Sequence, residues 1–279
     1  MRIYLMTDLE GVAGVLDHEN WCRPGSSYYE TAQKFLTLEV NAAVRGFLKA
    51  GADGIVVADG HGPGGISPDL LDERVEVQRG WPEGPWPLGL DRSFDACAWV
   101  GQHAKSNTLY AHMAHTQSFG YLDLSVNGVS IGEFGQLAMC ASELGVRSIF
   151  GSGDLAFTKE AQERVPGIET VAVKRGLQSR SGEGLAREEY ERWNLAAVHL
   201  QPAKAQDLIE RGARRALERA QKESFGLIPL HPPFKRVAVF RRTKDNPTMI
   251  DHASHDGSFA ALMNLPCKPV PVEEQGTSR

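Results

Sequence analysis

Apolar positions along this chain follow two alternating periods. Short unbroken apolar runs, "RIYLMT" at 2–7 and "IVVA" at 55–58, have the length of buried strands. Between them, "YYETAQKFLTLEVNAAVRGFLKAG" spaces Phe35, Leu36, Val40, Val44, Phe47 and Leu48 at helical intervals, and Gly51 ends the pattern. Strand, helix and strand in this order form the βαβ unit of a parallel sheet. "RVEVQRG" and "ACAWVGQHA" predict further strands, and "LSVNGVSI" carries the Asn-Gly pair of a tight hairpin. Helix and strand then alternate through "GEFGQLAMCASELG", "VRSIFGSGD", "AFTKEAQERV" and "ETVAVKRG". Residues 177–201 are polar and poorly periodic, an inserted excursion with a helical piece at "REEYERW". After Pro202, a helix stripes Leu208, Ile209, Ala213, Ala216, Leu217 and Ala220 on one face, and "RVAVFRR" is a late strand. The pattern predicts an α/β fold: a mainly parallel central sheet flanked by helices, with a smaller C-terminal α+β portion. The expected division is 1–200, a smaller helix/strand region at 201–265 packed on it, and a flexible tail at 266–279.

Composition narrows the partners. The 279 residues are 42% hydrophobic and 23% charged, with a net charge of −5 and both signs interspersed. Nucleic acid, which needs concentrated Lys and Arg, is not expected as a partner. No apolar run approaches the roughly 20 residues of a membrane helix, and the first is too short for a secretory signal. Cys22, Cys97, Cys140 and Cys267 form no C-x-x-C pair and read as reduced thiols, so the expected compartment is the cytoplasm.

The chemistry gathers where strands end. Asp8 and Glu10, in "MTDLEGVAG", stand two residues apart and so face one side of the chain as it leaves the first strand. In open parallel sheets, ligands bind beyond the strands' carboxyl ends. The second strand delivers Asp59 and His61 in "ADGHG", the next delivers His103 in "VGQHA", and "YAHMAHTQ" adds His112 and His115. Glu133 opens a helix in "SIGEFGQLA". Singly, each has an ordinary reading, such as a solvated loop start or a first-turn glutamate favoured by the helix dipole. Together, Asp8, Glu10, His61, His103 and Glu133 offer oxygen and imidazole ligands suited to zinc, with manganese or cobalt as alternatives. Five ligands exceed the needs of one zinc and suggest two ions sharing a carboxylate. Two other readings stay open. "DLEG" loosely mimics the D-x-D of haloacid-dehalogenase-like phosphatases, with Asp8 as nucleophile and Asp154 in a magnesium motif. An α/β module gripping an amine with its acids is the other.

"TDLEG" resembles the S-x-D-x-E-G signature of the zinc-dependent D-aminopeptidase (DppA-like) peptidase family. The resemblance continues through "VVADGHG", "VGQHA", "HMAHTQS", "NGVSIGEFGQLA" and "GSGDLAFTKEAQERVPGIETVAVKRG" over most of residues 1–225. It implies a binuclear zinc aminopeptidase that releases N-terminal D-amino acids from short peptides or amides. Asp8 would bridge both ions, with Glu10, His61, His103 and Glu133 completing the ligands. The family's nucleophilic histidine falls on His115, with His112 a competitor three residues earlier and an activated water a rival nucleophile. The resemblance also implies a homo-oligomer, a decameric ring with sites facing an internal channel. Residues 177–201 and those after about 235 match the family poorly. Among smaller features, Trp81, Pro82, Pro85, Trp86 and Pro87 form a rigid aromatic loop facing substrate or subunit. Asp59 is expected to orient a ligating histidine or to ligate weakly, and Asp154 to be structural. His252 and His255, spaced as on a helix turn, are expected outside the metal site.

Overall fold

The computed structural model describes residues 1–81 and 84–272. Its main sheet has seven strands in the order β3-β2-β1-β4-β7-β8-β9. In chain order these are β1 (Arg2–Thr7), β2 (Gly54–Asp59), β3 (Glu76–Gln78), β4 (Ala96–Gln102), β7 (Arg147–Asp154), β8 (Glu169–Gly176) and β9 (Ala197–His199). All pairs are parallel except β8 with β9. The expected α/β fold with a mainly parallel centre is what the chain adopts.

Side chains alternate across this sheet at the strand period. From β1, Ile3 and Leu5 enter one core while Tyr4 and Met6 enter the other. On the first face lie α2 (Tyr29–Lys49) and α6 (Pro202–Ala220), which bury Leu36, Val40, Val44 and Phe47 against Ile209, Ala213 and Leu217. They cross so closely that a Cβ added to Gly46 would lie 2.2 Å from the Glu210 carbonyl oxygen. The second face is covered by α3 (Glu133–Leu144), α4 (Leu155–Arg164), α7 (Phe259–Asn264) and a second sheet. Covered on both faces, β4 is buried at all seven positions, which explains its unbroken apolar run.

The second sheet is antiparallel, ordered β12-β11-β10-β5-β6. It joins β5 (Tyr121–Val126) and β6 (Val129–Ser130) to β10 (Phe234–Phe240), β11 (Met249–His255) and β12 (Val270–Pro271). The hairpin signal holds: Asn127 and Gly128 turn with φ of 52° and 78°. Two short helices complete the chain, α1 (His18–Trp21) and α5 (Arg187–Tyr190), the latter inside the expected "REEYERW" piece. The sequence pattern missed β9 and β11. His252 and His255 therefore lie on a strand rather than a helix turn, where an odd spacing turns them to opposite faces. Residues 273–279, the end of the expected tail, and Pro82 of the aromatic loop lie outside the described residues. Among the described residues, no helix is long and apolar enough to cross a membrane.

The strand order reverses between β1 and β4, the two central strands. Such a switch point opens a crevice beyond the carboxyl ends. Main-chain bonds knit its floor: Asp8 N–H to the Val100 carbonyl (3.0 Å) and Gly11 N–H to the Gly101 carbonyl (2.7 Å).

Candidate metal centre at the switch point

Five elements deliver side chains to this crevice. Asp8 and Glu10 follow β1, His61 follows β2, His103 follows β4, His115 lies on the loop before β5, and Glu133 opens α3. His61 Nδ1 is 3.2 Å from both Asp8 Oδ1 and Glu10 Oε2. His103 Nε2 is 3.2 Å from Asp8 Oδ2 and 3.6 Å from Glu133 Oε1. His115 Nε2 is 3.8 Å from Glu133 Oε1. Asp8 thus faces both His61 and His103, and Glu133 faces both His103 and His115. The sequence-predicted residues are brought together in one constellation, buried except for the partly exposed Glu133.

The opposite edges of the three rings share a design. His61 Nε2 donates to the Cys22 carbonyl (2.8 Å), His103 Nδ1 to the Ala104 carbonyl (2.9 Å), and His115 Nδ1 to the Met113 carbonyl (2.8 Å). Each ring's N–H is spent on main chain, so the other nitrogen meets the carboxylates. Fixing the tautomer in this way is what surrounding groups do for metal-ligating histidines.

Three carboxylates packed together need compensating charge. Burial lowers the pKa of His61 and His103, but the charges of Glu10 and Glu133 outweigh it and hold both imidazoles well above their ordinary value. Burial raises Asp8, yet hydrogen bonds with His103 and His61 keep it far below the usual carboxylate range. Glu133, raised by burial, is drawn down to about 2 chiefly by the charge of His103. His115 behaves differently: burial and the charge of His103 push its pKa down. His103 Nε2 and Glu10 Oε2 are buried without an aligned hydrogen bond among the described residues. Asp8, Glu10 and His103 each present an atom within 4.8 Å of the others, and so do His103, His115 and Glu133. The groups share His103 and are rich in carboxylate and imidazole, a donor set that fits divalent zinc; His61 stands outside both, with its Nδ1 against Asp8 and Glu10, and His115 stands in the second.

The profile of the D-aminopeptidase family, Peptidase M55, matches residues 1–248. This chain belongs to the D-aminopeptidase family. A D-aminopeptidase of Bacillus subtilis (strain 168) is 28% identical over 242 residues, covering 85% of this chain and 80% of the relative. The fold matches a solved structure, that of the Zn-dependent D-aminopeptidase DppA from Bacillus subtilis, a self-compartmentalizing protease. That match has a TM-score of 0.78 at 23% identity and covers 95% of each chain. The family resemblance read from the short motifs holds, and the protein is an aminopeptidase, a hydrolase of peptide bonds. Asp154, which a phosphatase reading would place at a metal, instead caps α4 by accepting the Phe157 N–H (2.7 Å).

In this D-aminopeptidase family member the crevice opens into a cavity of about 470 Å³. The acids line it with His115, Trp81, Pro85 and Trp86, so these three residues of the aromatic loop face the cavity. His115 is clasped between rings, its centroid 3.9 Å from that of His103 and 4.5 Å from that of Phe119. Its loop carries strain: Asn107, Tyr110, Met113 and Gln117 all have positive φ, between 52° and 61°. Gln117 in turn gives its backbone N–H to Glu133 Oε1. His112, the competitor, is fully buried and points away, donating through Nε2 to the Leu16 carbonyl (3.0 Å). Asp59 does not orient a ring; it accepts the Gly65 N–H (2.7 Å) and shapes the loop that carries His61.

Sequence reasoning missed His18, whose Nε2 lies 3.8 Å from Glu10 Oε1 and whose Nδ1 meets Glu191. It also missed Gln102, which donates to Asp8 Oδ2 (3.4 Å). Gln102 is the last residue of β4, immediately before His103, and that position was its available signal.

Proposed function

We propose that this aminopeptidase is zinc-dependent and releases an N-terminal D-amino acid from short peptides or amino-acid amides. Asp8, Glu10, His61, His103 and Glu133 would hold two zinc ions per subunit, Asp8 being shared. The carrying observation is the orientation of His61 and His103, each with one nitrogen spent on a backbone carbonyl and the other turned on clustered carboxylates. Bound zinc supplies Lewis acidity toward a carbonyl oxygen.

The remaining chemistry belongs to the chain. His115 is the catalytic residue: its lowered pKa keeps it neutral near pH 7, and the Met113 carbonyl fixes the proton on Nδ1. The Nε2 lone pair, on the side of Glu133 in the cavity wall, is left to attack the scissile carbon or take a proton from the attacking water. Clasping between His103 and Phe119 holds the ring in register. A cavity of about 470 Å³ accommodates a short peptide rather than a folded chain. The self-compartmentalizing relative supports assembly of this chain into a homo-oligomer, a decameric ring in the family resemblance. The four free cysteines fit the reducing cytoplasm.

The test couples metal analysis to hydrolysis of matched D- and L-alanyl p-nitroanilides. Stoichiometric zinc, with the D-isomer turned over at least about 100-fold faster, is expected. Equal turnover of both isomers would sink the stereochemical part, and less than about one zinc per chain would sink the metal centre. Mass spectrometry of a single turnover separates the two roles of His115, because attack leaves an acyl-histidine and base catalysis does not.

A further inference from the structure

A second buried cluster of ionisable groups lies behind the metal centre, and the proposed reaction uses none of it. It surrounds Ala13–Leu16, the segment between Glu10 and α1. Each of these four residues has a backbone group held by a different side chain. The Ala13 N–H donates to Glu39 Oε1 (2.9 Å) and the Gly14 N–H to His199 Nδ1 (3.1 Å). Lys174 Nζ donates to the Val15 carbonyl (3.4 Å) and His112 Nε2 to the Leu16 carbonyl (3.0 Å). The four side chains come from α2, β9, β8 and the loop before β5. Glu39, Lys174 and His112 are buried, and His199 is half-buried.

Loop backbone is ordinarily satisfied by neighbouring main chain or water. Burying ionisable groups for this purpose is costly, since each loses its hydration. The cost shows: burial raises Glu39 to about 8 and lowers Lys174 to about 8. Asp154 steadies the assembly from below, accepting the His112 N–H at 2.9 Å.

The segment so held leads directly to the centre. Asp17 caps α1 by accepting the Asn20 N–H (2.7 Å), and α1 begins with His18 beside Glu10. Immediately after α1, the Cys22 carbonyl takes the Nε2–H of His61 (2.8 Å). That bond leaves His61 Nδ1 for Asp8 and Glu10.

We infer that Glu39, His112, Lys174 and His199 are positioning residues that grip the backbone of Ala13–Leu16, fix α1 and the Cys22 carbonyl, and thereby orient His61. The effect on metal rests on the zinc reading above; the grip itself does not. In the full-length protein, Lys174→Met and His112→Phe remove a donor while keeping bulk, whereas His112→Gln retains an N–H able to reach Leu16. Hydrogen–deuterium exchange of the metal-free protein should quicken about tenfold across residues 11–23 in the first two variants, with β1 and β4 unchanged. Zinc, titrated against a chromogenic chelator, should bind about tenfold more weakly, and kcat should fall with KM within about twofold. His112→Gln should recover most of both. Unchanged exchange over 11–23, or zinc affinity and kcat within about twofold of wild type, overturns the inference. So does a His112→Gln protein as impaired as His112→Phe, because the ring would then only fill space. Should Lys174→Met fail to fold, the His112 pair decides the matter. Wild-type protein that takes up no zinc sinks the metallopeptidase reading instead, while the exchange arm still decides the grip.

Discussion

His61, His103 and His115 have one chemical type and two electrostatic fates. The first two are held above the ordinary imidazole value of 6.5 by adjoining carboxylates, and the third is pushed below it. In metal-free protein, the paired cationic forms of His61 and His103 stabilise the fold fully below about pH 6.5, and that contribution is lost as pH rises through their raised values. Asp8 and Glu133 act oppositely: their contribution is present above the ordinary carboxylate range and is lost in acid, for Glu133 near pH 2. Zinc displaces the imidazole protons, so its affinity rises with pH. The melting-temperature gap between zinc-loaded and metal-free protein should therefore widen from about pH 5 to about pH 8, and a constant gap would contradict the ligand assignment. Glu133→Gln keeps shape while removing charge. It is expected to lower kcat/KM by about 100-fold or more and to reduce bound zinc, read by steady-state kinetics and elemental analysis.

At the level of elements, glycine sets how closely the two central strands and their exits meet. Gly101, at φ 79°, sits where a Cβ would lie 1.9 Å from the Asp8 carbonyl oxygen, and a Cβ on Gly11 would lie 2.2 Å from that of Gln102. Gly101→Ala should cost about 2–3 kcal/mol in urea denaturation and shift Asp8 enough to weaken zinc binding; wild-type values for both would show that the β1–β4 contact tolerates separation. The strands that carry the centre were legible because burial on both faces makes them unbroken apolar runs, and their acids and histidines follow at once. β9 and β11 were not legible, since the first has only three residues and the second, though seven long, is half-exposed and mixes Asp, His and Ser with few apolar positions. Nor was the pairing of β5 with β10, which depends on distant partners. The grip on Ala13–Leu16 was equally hidden, because it joins main chain to side chains remote in sequence. Its one trace was Glu39, an acid set between the apolar Leu36 and Val40 of α2.

Across the whole molecule, the cavity and the candidate metal centre both lie at the carboxyl edge of one sheet, leaving the helical faces to carry the cores. Assembly into a closed ring should appear in light scattering after size exclusion as a single species of about ten chains. A monomer retaining full activity would refute compartmentalisation as a requirement. The acids and imidazoles that would hold zinc extend from Asp8 to Glu133, on segments brought together only by parallel, crossover-linked strands. Such long-range pairing forms slowly and as a unit. A ribosome-bound chain that has not yet emerged past Glu133 lacks one of the five groups expected to hold the ion. On the proposed ligand set, a complete zinc site is therefore expected only after the first 133 residues have emerged and β1, β2 and β4 have paired.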